Sequence, residues 1–326
     1  MSPAGASPRF ERVALIGIGL INGSLALNLR RYRLAGEIVA CARREATLAR
    51  ARELRLADRT TTDLAAAVAG ADLVVIGTPP GSVDAVTEAM APGLGPDAIV
   101  TDVSSIKADV VQAIRRHVPQ PARVVGGHPV AGTEHSGPDA AFAELFRGRH
   151  CILTPLDDTD PDALAEVAAL WRAAGMLVET MTPEHHDRVL AITSHLPHLI
   201  AYTIVGTVAD LEEHLQSEVL RYAAGGFTDF TRIAGSDPVM WRDVFLHNRE
   251  AVLEMLGRFT EDLTALQRAI RWGEGDKLQD LFTRTRAIRR GVIAEGQAYD
   301  RRVLTTPDTS APETAGGEEA DAGRGS

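Results

Sequence analysis

Two cysteines in 326 residues, Cys41 and Cys151, are too few and too widely separated for a disulfide framework or a thiolate metal site. Each falls at a predicted strand and reads as a small buried hydrophobe. Long apolar runs are also missing. The longest, such as Val13 to Ile16 and Leu73 to Ile76, fall far short of a bilayer span, and no basic-then-apolar leader precedes the first strand. The expected compartment is the cytoplasm, with no membrane partner. Positive charge is in deficit, with 34 Lys and Arg against 44 Asp and Glu, for a formal net charge of −10. This argues against nucleic-acid binding, so an anionic substrate would need locally placed cations. Core-forming residues are lacking at both ends, and residues 1–9 and 299–326 are predicted to be disordered.

Between those ends, 45% apolar residues suffice for two cores. The chain is organised around Arg12 to Ser24, RVALIGIGLINGS, where an apolar strand runs into closely spaced glycines and then a helical pattern. That is the architecture of a dinucleotide-binding turn. Gly17 permits the tight turn, Gly19 lets the backbone approach a pyrophosphate, and the free N–H groups of the next helix hold phosphate. Leu20, Ile21 and Gly23 belong to the same stretch, whereas Asn22 stands where a third glycine is expected. The second strand ends in Ala42-Arg43-Arg44 in place of an acid. Without a carboxylate to accept from the ribose hydroxyls, and with two guanidiniums, the pattern favours the 2′-phosphate of NADP, with NAD as the alternative. The competing reading of both arginines is a solvated start to the next helix.

Predicted strands at Leu73 to Gly77, Ile99 to Thr101, Val124 to Val125, Cys151 to Thr154 and Leu177 to Thr180 alternate with helices, which implies a doubly wound parallel sheet over residues 10–182. Thr78 and Pro79 close the Leu73 strand where ligands of such sheets bind. His128, between a glycine pair and a proline, lies on a turn rather than on an apolar face. From Pro183 strand-like alternation disappears, and residues 183–298 read as an all-helical domain. Thr182-Pro183-Glu184 has a cap, a proline at the first helical position and an early acid. His195 and His198 straddle Pro197, a poor arrangement for a metal site, and none is expected. Val252, Leu256, Phe259, Leu263, Leu266 and Ile270 form a stripe suited either to one buried face or to a second subunit.

Taken together, GIGLINGS, DVSSIK, GGHPVAGTEHSG, SHLPH and GGFTDFTRIAGSDPVMWRDVF resemble the prephenate/arogenate dehydrogenase family of tyrosine biosynthesis, from about Phe10 to Gly296. The resemblance implies a Rossmann-type domain, a helical dimerisation domain giving a homodimer, and oxidative decarboxylation of a cyclohexadienol carboxylic acid with NAD or NADP. It places the catalytic histidine on His128 and a helper serine on Ser105. It places substrate contacts on His198 with His195 of the same motif, on Arg232, and on Glu134. Two departures stand out: Asn22 could crowd the cofactor turn, and Ala42-Arg43-Arg44 puts NAD preference in doubt. The choice between prephenate and arogenate is not legible. Two other readings compete. One is a β-hydroxyacid dehydrogenase or imine reductase, which would use a lysine on the second domain. The other is a cofactor-binding regulator that would not need His128, Ser105 and Arg232.

Overall fold

The computed structural model describes residues 9–211, 218, 221–223 and 225–305, with side chains described through 293. Residues 1–8 and 306–326, most of the two predicted tails, lie outside the described residues. One compact unit, Pro8–Leu278, takes in the first predicted domain, residues 10–182, and the second, residues 183–298, only as far as Leu278. Gln279 onward belongs to a second unit, whose described part continues a helix to Thr305, past position 299 where the sequence places the start of the tail.

An eight-stranded sheet forms the centre, in the order β3-β2-β1-β4-β5-β6-β7-β8. Its strands are β1 (Phe10–Ile16), β2 (Ala35–Cys41), β3 (Arg59–Thr61), β4 (Leu73–Ile76), β5 (Ile99–Asp102), β6 (Val124–Pro129), β7 (His150–Thr154) and β8 (Leu177–Thr180). Successive side chains of a strand point to opposite faces, so β1 sends Val13 and Leu15 to one side and Ala14 and Ile16 to the other. The first face is covered by α1 (Leu20–Arg31), through Leu25 and Leu29, and by α6 (Pro161–Ala173), through Val167, Leu170 and Trp171. The second face packs on α3 (Leu64–Val68), α4 (Val83–Met90) and α5 (Ala108–Arg115). Helix α2 (Glu45–Glu53) follows β2.

One expectation is corrected. The sheet is parallel from β3 to β6, but β7 runs antiparallel to β6, and β8 is parallel to β7. A parallel return requires a crossover element, and between β6 and β7 the chain makes only short 3₁₀ turns. β3 is not among the predicted strands, because its Arg-Thr-Thr has no apolar signature.

Past β8 the chain is helical: α7 (Pro183–Leu190), a π turn (Ala191–His195), α8 (Leu196–Ala209), α9 (Gly225–Thr231), α10 (Pro238–His247), α11 (Arg249–Trp272) and α12 (Gly275–Thr305). Thr182 caps α7 by accepting from His185 N, and Asp237 caps α10 by accepting from Val239 N and Met240 N. Trp241 and Val244 of α10 join the core under the second sheet face, which anchors the helices to the sheet. The run Pro183–Ala209 is long and apolar enough, by length and composition alone, to cross a bilayer. Polar residues interrupt it, so it is not among the uninterrupted apolar runs of the sequence. Within it, His186, Asp187 and His195 are buried and bonded to groups of the protein.

Candidate active site

The loops leaving the carboxyl ends of β1, β4, β5 and β6 carry most of the residues with chemistry to perform. Gly17 follows β1 at φ +85°, and a Cβ there would lie 2.7 Å from the Gly77 carbonyl oxygen beyond β4, so glycine is required. Gly19 precedes α1 with nothing within 4 Å of where its Cβ would be. Among the described residues no side chain caps α1, which leaves the first N–H groups, at Leu20 and Ile21, available to an anion. These residues fit the pyrophosphate of a dinucleotide. Thr78 lies beside the turn, its Cγ2 3.3 Å from the would-be Gly17 Cβ, with Pro79 next in the chain.

Asn22 does not crowd this turn. Its side chain is buried, and Nδ2 donates to the carbonyls of Gly17 at 2.8 Å and Val75 at 3.2 Å, tying the β1 turn to β4. Gly23 faces away from the glycine turn: its Cβ would meet Ala141 Cβ at 2.7 Å, so its smallness admits the β6–β7 loop. Arg43 and Arg44 are exposed and form no ion pair among the described residues. Arg44 is also the N-cap residue of α2, so the helix-start reading holds for its backbone while its guanidinium stays uncommitted.

His128 lies within β6, paired with Ile152 and one residue before the strand's end, rather than on a turn as its glycine and proline neighbours suggested; it is buried, with Nδ1 2.8 Å from His186 Nε2. His186 Nδ1 in turn lies 2.8 Å from Asp187 Oδ1. The carboxylate can only accept here, so His186 carries its proton on Nδ1 and its Nε2 accepts from His128 Nδ1–H. The lone pair of His128 is thereby assigned to Nε2. Asp187 is fixed by the amides of Lys107 at 2.7 Å and Ala108 at 2.9 Å, and so caps α5 from outside. Burial first, then His186, Lys107 and His195, hold the His128 imidazole well below its usual range, so it is neutral at neutral pH.

His195, at the end of the π turn, is also buried. Asn248 Nδ2 donates to the Asp187 carbonyl at 2.9 Å and to His195 Nδ1 at 3.1 Å, and His195 Nε2 meets no partner at good hydrogen-bond geometry among the described residues. Burial pushes the His195 imidazole down to about 4, and the Ser105 backbone lies beside the ring. His198 stacks on Trp241 at 3.6 Å between ring centroids and donates through Nδ1 to the Ser194 carbonyl at 2.9 Å. Burial lowers its pKa, and nearby Arg232 adds to the effect. Arg232 donates to Glu134 Oε2 at 3.1 Å, so the two expected substrate contacts engage each other. The Glu134 carboxyl is held below its usual range by its own backbone amide first and by Arg232 after that.

With this geometry in view, the chain matches two family descriptions in succession: "Prephenate dehydrogenase, nucleotide-binding domain" over residues 25–180 and "Prephenate dehydrogenase, dimerization domain" over residues 182–284. The chain belongs to the prephenate dehydrogenase family. It is 41% identical over 280 residues to the cyclohexadienyl dehydrogenase of Zymomonas mobilis, spanning 86% of this chain and 95% of that one. With the prephenate dehydrogenase of Bacillus subtilis it shares 34% identity over 273 residues, 83% of this chain and 72% of that protein. Among solved structures it is similar to the prephenate dehydrogenase of A. aeolicus in complex with hydroxyphenyl propionate and NAD+. That likeness has TM-score 0.81 at 34% identity and covers 86% and 98% of the two chains. The arogenate dehydrogenase of Synechocystis superposes with TM-score 0.72 at 29% identity, over 86% and 99%. A nicotinamide-dependent oxidoreductase of this family is therefore what the fold carries.

Sequence reasoning passed over His186, Asp187, Asn248 and Trp241. A signal was present in α7, where His186 and Asp187 share the buried face with Pro183 and Leu190. Polar residues on an inward helical stripe need buried partners.

Proposed function

We propose that this protein oxidises prephenate, arogenate or both, with decarboxylation and aromatisation of the ring. The observation that carries the reading is the buried chain His128–His186–Asp187, which leaves His128 Nε2 as a neutral acceptor on the sheet edge that also bears the glycine turn. A bound nicotinamide ring supplies the hydride acceptor. His128 Nε2 takes the proton of the ring hydroxyl as hydride leaves the carbon bearing it. The resulting imidazolium is held through His186 by the Asp187 carboxylate. Loss of the ring carboxylate as carbon dioxide then makes that oxygen a phenolate, which recovers the proton from His128. No proton is released overall, so an imidazole sealed from water suits the task.

Ser105 orients the hydroxyl, and the Nε2–H of His195 is a donor for the substrate. Arg232 binds a substrate carboxylate in competition with Glu134, supplying the local cation that a chain of net charge −10 needs. NAD serves the family. The uncommitted Arg43 and Arg44 favour NADP, or use of both cofactors, in this chain. A guanidinium on the 2′-phosphate contributes roughly 1.5–3 kcal/mol, about ten- to hundred-fold in affinity. The helical domain, residues 183–298, is read as the contact of a homodimer.

The test is turnover of both substrates with both cofactors, following reduced cofactor and carbon dioxide. We expect at least one substrate to react, with NADP used as well as or better than NAD, and Arg43→Ala with Arg44→Ala to erase NADP use. Failure of all four combinations would remove the enzymatic reading. Strong NAD preference unchanged by the two substitutions would remove the cofactor assignment.

A further inference from the structure

Behind His128 lies an ion pair that the chemistry above does not use. Lys107, at the entry to α5, is completely buried, and its ammonium donates to Asp102 Oδ2 at the end of β5, which is buried as fully. Taking two charges out of water is not generally favourable, and apolar residues of similar size often serve stability as well or better. The remaining bonds of the pair show what it holds. Asp102 Oδ1 accepts from Gly127 N at 3.1 Å, next to His128, and Asp102 Oδ2 accepts from Ser104 N at 2.8 Å, next to Ser105. The Lys107 amide donates to Asp187 Oδ1 at 2.7 Å, the same oxygen that orients His186. The pair therefore braces the neighbours of Ser105, His128 and His186 at once.

The glycine pair before His128 makes room for this. A Cβ on Gly126 would lie 2.4 Å from Thr154 Oγ1, 2.6 Å from Val111 Cγ2 and 3.5 Å from Lys107 Cδ. One on Gly127 would lie 2.8 Å from the Asp102 carbonyl oxygen. With any larger residues, β6 could not lie against the lysine stem and β5 as it does.

We propose that Asp102 and Lys107 are positioning residues for the reaction: the pair locks the Ser105 loop, the His128 strand and the His186–Asp187 pair in one register, while neither group touches substrate. This inference rests on the dehydrogenase reading. His128 is faced by His186 from α7, by His195 from the π turn and by Lys107 from the β5–α5 loop, with Asp187 behind His186. Loss of the Lys107 cation should therefore also ease protonation of His128.

Two variants test it: the neutral double replacement Asp102→Asn with Lys107→Met, and Lys107→Gln alone, each checked for folding by near-UV circular dichroism. We expect kcat to fall by about 10²-fold, the scale of a misplaced catalytic group, with KM for substrate and cofactor nearly unchanged. The acid limb of kcat/KM should move to higher pH. A folded variant with kcat within about threefold of wild type and an unmoved acid limb would overturn the proposal, because this mechanism asks for both changes. Failure of both variants to fold would assign the pair to stability alone and overturn it equally. Wild-type turnover separates the two claims: an inactive wild type fails the dehydrogenase reading, and an active wild type with unaffected variants fails this one.

Discussion

His128 has to satisfy two opposed demands, staying unprotonated before hydride leaves and tolerating a proton afterwards. Burial answers the first by disfavouring the imidazolium, and the bond to His186 and through it to Asp187 answers the second by giving that cation a counter-charge. Arg232 has a different part. Its guanidinium would meet a carboxylate present in both ground and transition states, so Arg232→Ala should raise KM for the substrate about ten- to hundred-fold with kcat little changed. Steady-state kinetics decide it, and a kcat loss at constant KM would place Arg232 in the chemical step instead. The sequence singles out His128, Arg232 and Glu134 because each stands in a distinctive short motif. The pairing of Arg232 with Glu134 was not legible, because it spans 98 residues and no local pattern encodes it.

At the scale of elements, the glycine turn separates folding from binding. Gly17 has both a left-handed backbone and a carbonyl in the way, whereas Gly19 faces open space. Gly17→Ala should therefore lower stability by at least about 1–2 kcal/mol, the cost of forcing a Cβ into that conformation. Gly19→Ala should fold normally and weaken dinucleotide binding by about tenfold or more if the pyrophosphate passes where its Cβ would stand. Thermal melts with and without cofactor distinguish the two, and a Gly19→Ala protein with normal affinity would show that the anion binds elsewhere. Strand, turn and helix were readable here from apolar runs and glycine spacing. The reversal at β7 was readable only as a missing helix between Val125 and Cys151. The π turn that presents His195 left no trace in the sequence, since its backbone departs from the α-helix by hydrogen-bond pattern alone.

For the whole molecule, the open question in the sequence was whether the stripe on α11 is covered. Val252 is buried, but Leu263 and Ile270 remain 52% and 67% exposed. Apolar residues left open along one long helix are what the proposed homodimer would cover, in keeping with the dimerization-domain match. Light scattering at micromolar concentration should give twice the chain mass, and Leu263→Asp with Ile270→Asp should shift it towards the monomer. A monomeric wild type would contradict the dimer. Alternating strands and helices made the sheet legible, and the capping residue Thr182 marked where α7 starts. Contacts between the halves, such as Asp187 capping α5, depend on tertiary packing that one sequence does not display.

The pH dependence of kcat/KM for wild type beside a folded His128→Asn variant tests the role of His128 as proton acceptor most directly. Because the native imidazole is held below 6.5, wild-type kcat/KM should stay level from neutral pH to below that value and fall only as His128 gains a proton. The Asn variant should lose about 10²–10⁴-fold in kcat with little change in KM, and should lack that acid limb. A well-folded His128→Asn protein with near-normal kcat, or one that keeps the wild-type acid limb, would show that the proton goes to another group.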